Sequence, residues 1–569
     1  MNPFFRFSGH AFWRRLPVAL LVVTLIAPSL LAQQAATRPA TAISSQEREA
    51  SAQVKIATLR DVTTALVAKD MEGRGTAQPG ADRAAKYLAD RFAQLGLKPL
   101  GDAGSYQQAI KFKSEQVQAD SSFKVGDESL KLKKDFVIAP PFPKESQDVS
   151  GNLMFVSYSL VPHDPNQIAQ ELDQLSHKLG DVDVKGKIVF VLSEKPKNVD
   201  AATWAKAANQ MAVFGRLIAK GAAALVVPYA GRNTQPFPLV ATYLTRRRVA
   251  LADAGGLPIK IPPIVLVNDA TAEKLFAASG MTYAQAKERS ANGEFMSPDL
   301  NKSAAVSVKL KREEGTSNNV VGVLEGSDPK LKDEALVYTA HYDAYGIEAD
   351  GTIYPGAADN AIGVAKLVAI AEAFVKAKVK PRRSIIFIAL TGEEYGLLGA
   401  EYWVKHPTWP IEKVAANINY DGIGTELWGP LKTVIDYGFT HSDLGSVMGD
   451  VATARSLTII PDPFPEEGVF YRSDHYSFFK KGVPSLYLIG GTGGDTVALG
   501  ARAMKWLVTD YHMATDTIRP DWDWDGAREL AVVGLVVGMR VANQDAMPAW
   551  SSSSPYNRPR GTNLPPPPR

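Results

Sequence analysis

The sequence predicts an α/β protein: a three-layer fold in which a mixed, mostly parallel sheet carries helices on both faces, with a β-rich block inserted into it. Three observations predict it. Beyond residue 328, short apolar strands alternate with amphipathic helical stretches. Ser384 to Val404, SIIFIALTGEEYGLLGAEYWV, opens with an apolar, β-branched run suited to a strand buried on both faces. It breaks at Thr391 and Gly392 and then sets two acids side by side, Glu393 and Glu394. Between residues 118 and 311 the texture changes to short β-rich runs around one long helical pattern.

Composition narrows the function. At 569 residues and 45% hydrophobic content the chain can bury a large core, and its length fits about three domains. The net charge of +3, from 63 basic and 60 acidic residues, gives no reason to expect a nucleic-acid partner. There is no cysteine, which excludes disulfides, thiolate metal sites and a cysteine nucleophile. Any metal must then sit on histidines and carboxylates.

Arg6, Arg14 and Arg15 precede an apolar run from Leu16 to Leu31 that ends at Ala32. This predicts a signal peptide over residues 1–32, cleaved after Ala32, and hence a periplasmic or secreted protein with no stable membrane association afterwards. An uncleaved anchor is the alternative, and it is disfavoured because Pro17 and Pro28 bracket a core shorter than the roughly 20 residues of a span. Residues 33–45 read as a disordered leader.

Residues 46–117 form the first part of the main domain: a helix from Glu47 to Lys69, a Gly-rich loop MEGRGTAQPG, and a helix from Ala81 to Leu95. Arg74 in that loop is expected to make a structural ion pair. Residues 118–311 hold strands at Leu153–Val156, Lys187–Leu192, Ala224–Val227, Ile264–Val267 and Val306–Leu310, and a helix from Ala202 to Lys220 closed by Gly221. His163 and His177 stand alone and read as surface residues; Arg246 to Arg248 read as a solvated charge run. GKIVFV from Gly186, AKGAAALVVPYA and IPPIVLVNDATAEKL resemble a protease-associated domain, an insertion that shapes access to a catalytic domain.

Residues 312–546 carry the chemistry. The strand Leu336–Ala340 delivers His341, Tyr342 and Asp343; YPGAADNAIG follows, with Asp359, and then a helix from Ile362 to Val379. The next strand ends in Glu393 and Glu394 and is followed by a helix from Leu397 to Lys405. AANINYD is a third strand, ending in Asp421. A helix at Asp443–Arg455, the strand LTIIPD, the loop YRSDHYSFF, the strand VPSLYLIG, TDYHMATDT around His512, and a helix from Trp522 to Val541 complete the block. Residues 547–569, rich in Ser, Pro, Asn and Arg, read as a disordered tail.

Three strands thus each end in an acid or an imidazole at the carboxyl edge, where open α/β sheets place their ligands. His341, Glu393 with Glu394, and Asp421 are expected to converge there, joined by Asp359 and His512 from loops. Adjacent like charges disfavour ionisation unless a cation compensates. Two imidazoles and three carboxylates suit two zinc ions about 3.5–4 Å apart with one bridging carboxylate.

HYD, GAADNAIG, GEE, NINYDGIG and YHMATDT, in that order, resemble the M28 family of zinc aminopeptidases and its clan relatives, and the likeness extends to MEGRGT and the inserted block. The resemblance implies a zinc exopeptidase fold with two Zn2+, acting on peptides with a free N-terminus. It implies that His341 and Asp421 hold one zinc, Glu394 and His512 the other, and Asp359 both. Glu393 would be the general base that activates the attacking water, and Asp343 would orient His341. Asp474 and His475, in YRSDHYSFF, are candidate pocket residues. The sequence departs from the family at Ala358, where a second acid is common, and at Ile362, where a serine is common. A glutamate-carboxypeptidase-like enzyme, with Arg246 to Arg248 as a carboxylate grip, and a single-zinc glutaminyl-cyclase-like transferase are the alternatives.

Overall fold

A computed structural model describes residues 42–157, 179–180, 182–192, 194, 197, 210–229, 236–255, 260–277, 279–422, 429–463, 465–491 and 496–564. The described chain divides into two compact units, one within residues 1–113, 249–252 and 314–569 and the other within 114–248 and 253–313.

The first unit is a three-layer α/β structure. Its sheet strands are β1 (Gln107–Val117), β2 (Arg248–Leu251), β3 (Leu310–Leu324), β4 (Ala335–His341), β5 (Ser384–Leu390), β6 (Val414–Asn419) and β7 (Ser485–Tyr487). They lie in the order β7-β6-β4-β5-β3-β1-β2, with Lys98–Pro99 added to β3. Strands β5, β4, β6 and β7 are parallel to one another, and β3 runs antiparallel to β5. Its helices are α1 (Ser45–Gln53), α2 (Ile56–Leu66), α3 (Pro79–Gln94), α4 (Ile362–Lys376), α5 (Leu398–Lys405), α6 (Leu444–Ala454), α7 (His475–Lys480), α8 (Thr496–Thr509) and α9 (Trp524–Asn543).

Side-chain alternation along the strands builds two apolar layers. Leu336, Tyr338 and Ala340 of β4, with Ile385, Phe387 and Ala389 of β5, pack with α1 to α4 and α9. Val337, Ile386 and Ile388 face the other way, against Trp403 of α5 and Phe478 of α7. Two glycines let α9 press onto the sheet. A Cβ on Gly538 would stand 1.8 Å from the Tyr338 hydroxyl, and one on Gly534 would stand 1.7 Å from that of Tyr420.

Three expectations are corrected in this unit. The single helix expected over Glu47–Lys69 is two, because Val54 is extended and the carbonyls of Ser51 and Val54 are taken by the Arg528 guanidinium of α9. A tertiary partner outcompetes helical continuation there. Among the described residues Arg74 makes no ion pair; it is fully buried among backbone carbonyls. Residues 547–564 are no free tail: Trp550 donates to Gly482 O, Arg560 to Val414 O and Ala415 O, and Tyr556 packs edge-on against Phe479. Composition suggested disorder, but a few aromatic and guanidinium anchors suffice to fix a Pro-rich strand of chain.

The second unit is an eight-stranded sheet in the order Glu128–Leu130, Ser122–Val125, Asp299–Val308, Gln147–Ser157, Ile188–Leu192, Ala224–Pro228, Ile264–Val267, Phe136–Ala139. Its central strands from Gln147–Ser157 to Ile264–Val267 are parallel. Phe155, Phe190, Phe276 and Tyr283 form an aromatic core at centroid spacings of 5.1–6.2 Å. Of the helix expected at Ala202–Lys220, Gln210–Ala219 is described, while residues 202–209, His163 and His177 lie outside the described residues. Arg246 and Arg247 are buried, which corrects the expectation of a solvated charge run; the Arg246 guanidinium lies 4.6 Å from the Tyr243 ring centre.

Candidate metal centre

Register places the acids and imidazoles at one edge. In the parallel pairs, Thr339 lies beside Asn419, and His341 lies beside Leu390. His341 and Asp421 are each two residues past the Thr339/Asn419 pair, so they come out level. Glu393 and Glu394 stand in the short turn that ends β5, which Gly392 opens in the left-handed region at φ 75°.

Two clusters result, whose ligand atoms lie within 4.8 Å of one another: His341 with Glu393 and Asp421, and Asp359 with Glu394 and His512. His341 Nε2 is 2.9 Å from Asp421 Oδ1, 3.3 Å from Asp359 Oδ1 and 3.8 Å from Glu393 Oε2. His512 Nε2 is 3.0 Å from Glu394 Oε2 and 3.2 Å from Asp359 Oδ2. Asp359 therefore shows one carboxylate oxygen to each imidazole. Glu393 keeps 11% of its side chain exposed and His512 14%, so both remain reachable from solvent.

The electrostatics are those of too many carboxylates in one buried place. Burial opposes protonation of His341, yet Asp421 and Glu393 hold its pKa well above the usual value. Burial likewise opposes that of His512, but Glu394 and Asp359 push it up to about 9. Burial raises Glu393 well above the carboxylate range; His341 works against this, and Asp421, Asp474 and Glu394 add to it. Glu394 is raised for the same first reason, against His512. Asp359 goes the other way, since hydrogen bonds from both imidazoles overcome its burial.

A second layer fixes these groups. His341 Nδ1 lies 3.2 Å from the Asp343 backbone carbonyl and 3.7 Å from its carboxylate. The Asp343 carboxylate instead accepts from Thr76 Oγ1 at 3.0 Å and from the Glu393 backbone N–H at 3.1 Å, so it also locates the candidate base. The buried Arg74 guanidinium donates to the carbonyls of Tyr342, Leu66, Pro355 and Gly356 and thereby ties the N-terminal loop to the segment carrying Asp359. Asp516 accepts from the N–H groups of Ala358 (2.9 Å) and Asp359 (3.0 Å), and burial pushes its carboxyl up to about 7. Tyr345 OH is 3.2 Å from His512 Nδ1. Sequence reasoning gave Asp516 no role, although it stands in the same TDYHMATDT stretch as His512.

Asp474 and His475, expected at the pocket wall, are both fully buried. The Asp474 carboxylate has no hydrogen-bond partner among the described residues, and burial holds it well above the usual range. The His475 ring stacks on Tyr487 at 4.9 Å and meets Phe470 edge-on at 5.0 Å, and burial drives its pKa down to about 3. His475 is thus a core aromatic in this structure, not a residue a substrate can touch.

A model of peptidase family M28 matches residues 319–536. Residues 319–536 belong to peptidase family M28. The matched stretch runs from within β3 to within α9 and so contains every residue of both clusters. Among curated proteins, a vacuolar membrane protease of Candida albicans is 33% identical over 172 residues, which is 30% of this chain and 18% of that protein. A probable leucine aminopeptidase 2 of Aspergillus oryzae is 28% identical over 242 residues, 38% of this chain and 44% of that protein. The chain thus spans less than half the length of either curated relative. Among solved structures, an aminopeptidase from Aneurinibacillus sp. strain AM-1 aligns with a TM-score of 0.56 at 18% identity, covering 88% of this chain and 97% of that one. BSAP, a zinc aminopeptidase from Bacillus subtilis, aligns with a TM-score of 0.52 at 18% identity over 86% and 96% of the two chains. These two likenesses show a shared fold.

The curated relatives also correct the expected location. Several are vacuolar membrane proteases, which overturns the expectation of a periplasmic or secreted protein and removes the ground for expecting no membrane association. The physical reason is that an apolar run behind arginines marks entry into a membrane system without naming the compartment reached. Residues 1–41 lie outside the described residues, and no described helix is long and apolar enough to cross a membrane.

Proposed function

We propose that this protein is a zinc-dependent aminopeptidase that removes N-terminal residues from peptides with a free α-amine. The observation that carries the reading is Asp359, one carboxylate turned to two imidazoles 3.3 and 3.2 Å away, each with further carboxylates beside it. The donors are imidazole nitrogens and carboxylate oxygens, a set that zinc accepts. Four carboxylates, those of Asp359, Glu393, Glu394 and Asp421, carry the charge that two dications balance. His341 and Asp421 would hold one ion, Glu394 and His512 the other, and Asp359 both. Bound zinc would supply Lewis acidity, lowering the pKa of a water and polarising the scissile carbonyl.

Glu393 is the general base. It takes the proton of the attacking water and hands it to the leaving amine. Asp343 holds Glu393 through its backbone N–H. The preference for an N-terminus is supported by the aminopeptidase names of the Aspergillus and Bacillus relatives. The second unit is read as a protease-associated domain, on its motifs and its parallel central strands.

The test is zinc per chain, with hydrolysis of free-amine and N-acetylated aminoacyl anilides, for wild type and Glu393→Gln. Two zincs, cleavage of the free amines alone, and a variant that keeps zinc while losing about 10²–10⁴-fold in kcat support the reading. Cleavage of the blocked substrate alone, or an unimpaired variant, overturns it.

A further inference from the structure

Strand β6 and the strand beside it bury polar side chains where a central parallel strand should be apolar. Asn417 and Asn419 share one face of β6, and Thr339 of β4 pairs laterally with Asn419; all three are fully buried, and Ser473 nearly so. Asn417 Nδ2 donates to Thr339 Oγ1 at 3.0 Å, Thr339 Oγ1 to Asn419 Oδ1 at 2.7 Å, and Asn419 Nδ2 to Ser473 Oγ at 2.7 Å. Ser473 Oγ donates to Asp421 Oδ2. The other oxygen of Asp421, Oδ1, is the one that faces His341.

We propose that Asn417, Thr339, Asn419 and Ser473 form a one-way hydrogen-bond chain that orients Asp421 as a metal ligand, making Thr339 a positioning residue two bonds removed from the carboxylate's own partner. This rests on the reading of Asp421 as a ligand. The direction of the chain follows from its end. An ionised carboxylate only accepts, so Ser473 must give it its single proton. Ser473 Oγ must then accept from the Asn419 amide NH₂, which turns the Asn419 carbonyl oxygen toward Thr339. Thr339 must donate to that oxygen, and so is left to accept from Asn417. From Thr339 to Asp421 no link can reverse without leaving a further buried group unpaired; the chain starts at Asn417, whose Nδ2 also reaches Val337 O at 3.3 Å and whose Oδ1 has no partner among the described residues, and aligned bonds in a low-dielectric interior polarise one another. The chain thus commits Asp421 Oδ2 inward and leaves Oδ1 for the metal. Partners of this kind, behind a ligand, typically set 10–100-fold in metal affinity.

The full chain, with zinc as probe, tests this by chelator competition on wild type, Thr339→Val, Thr339→Ser, Ser473→Ala and the Thr339→Val/Ser473→Ala double variant. Thr339→Val keeps the shape and loses the donor. It is expected to weaken the tighter-affected zinc site about 10-fold, while Thr339→Ser binds like wild type and Thr339→Val adds nothing once Ser473 is gone. The urea midpoint of the metal-free protein is read alongside, because a merely structural threonine would move that midpoint and leave zinc affinity alone. Unchanged affinity in Thr339→Val, or full additivity in the double variant, overturns the proposal. Should Thr339→Val not fold, Asn417→Leu at the far end of the chain carries the same expectation and the same refutation. A wild type that binds no zinc overturns the metal reading itself, a result distinct from zinc binding that ignores Thr339.

Discussion

Replacing Arg74 by methionine should destabilise the peptidase unit by about 3 kcal/mol, a figure built from two opposing terms. The guanidinium donates to four backbone carbonyls. Pro355 O is partly exposed and can turn to water, whereas those of Tyr342, Leu66 and Gly356 are enclosed. Leaving three enclosed acceptors unpaired at about 2 kcal/mol each costs about 6 kcal/mol. Against this, burial outweighs the pull of Asp343, Asp516, Glu394 and Asp359 and lowers the arginine pKa to about 10, which at about 1.4 kcal/mol per unit is a net cost of about 3 kcal/mol for holding the charge, a cost that methionine does not carry. The difference should lower the urea midpoint of the metal-free protein by about 1 M or more, for a slope of about 3 kcal/mol/M. Tryptophan fluorescence reads it, since Trp403, Trp506, Trp522 and Trp524 all lie in this unit. Arg74→Lys retains the charge but has three donors on one atom in place of a planar fork, and should recover part of the loss. A methionine variant whose midpoint stays within about 0.2 M of wild type would refute the claim that this guanidinium holds the loop.

Two other substitutions probe the same region. His475→Phe keeps the stack on Tyr487 and removes a group whose folded pKa, about 3, lies below its unfolded 6.5. The unfolded chain therefore binds that proton first, and wild type should lose stability as pH falls from 6.5 toward 3, by about 3 kcal/mol at pH 4. Thermal midpoints of the two proteins should agree near pH 8 and separate below pH 6 in favour of phenylalanine; parallel curves would contradict the buried, neutral imidazole. Asp516→Asn offers one acceptor oxygen to two backbone N–H groups and turns its NH₂ toward the second, at a cost of about 2 kcal/mol. Because those N–H groups belong to Ala358 and Asp359, chelator competition should show zinc held about 10-fold more weakly or worse, and unchanged retention would mean that Asp516 does not place Asp359.

The sheet and the meeting of His341, Asp359, Glu393, Glu394, Asp421 and His512 were legible because parallel strands of matched register end at one level, and each of three strands ends in a chemically loud residue. What surrounds them was not. Arg74 looked like half of an ion pair because its partners are carbonyls, which no residue letter records. Asp516 was invisible because it acts on backbone N–H groups. The buried ladder behind Asp421 did leave a trace, in the asparagines of AANINYD at alternate positions of an otherwise apolar strand. The break between α1 and α2 depends on Arg528, several hundred positions away along the chain, and local periodicity carries no information about it. The docked segment 547–564 failed the other way, since a composition average hides a few anchors.

That docked segment and the first helices share a consequence for how the molecule is made. Arg540 and Arg528 of α9 bind Glu47 and the carbonyls of α1, and Tyr556 and Arg558 brace Phe479, just beyond the loop that presents Ser473 to Asp421. The peptidase unit can therefore close only after residues 524–564 have left the ribosome, whatever has already folded upstream.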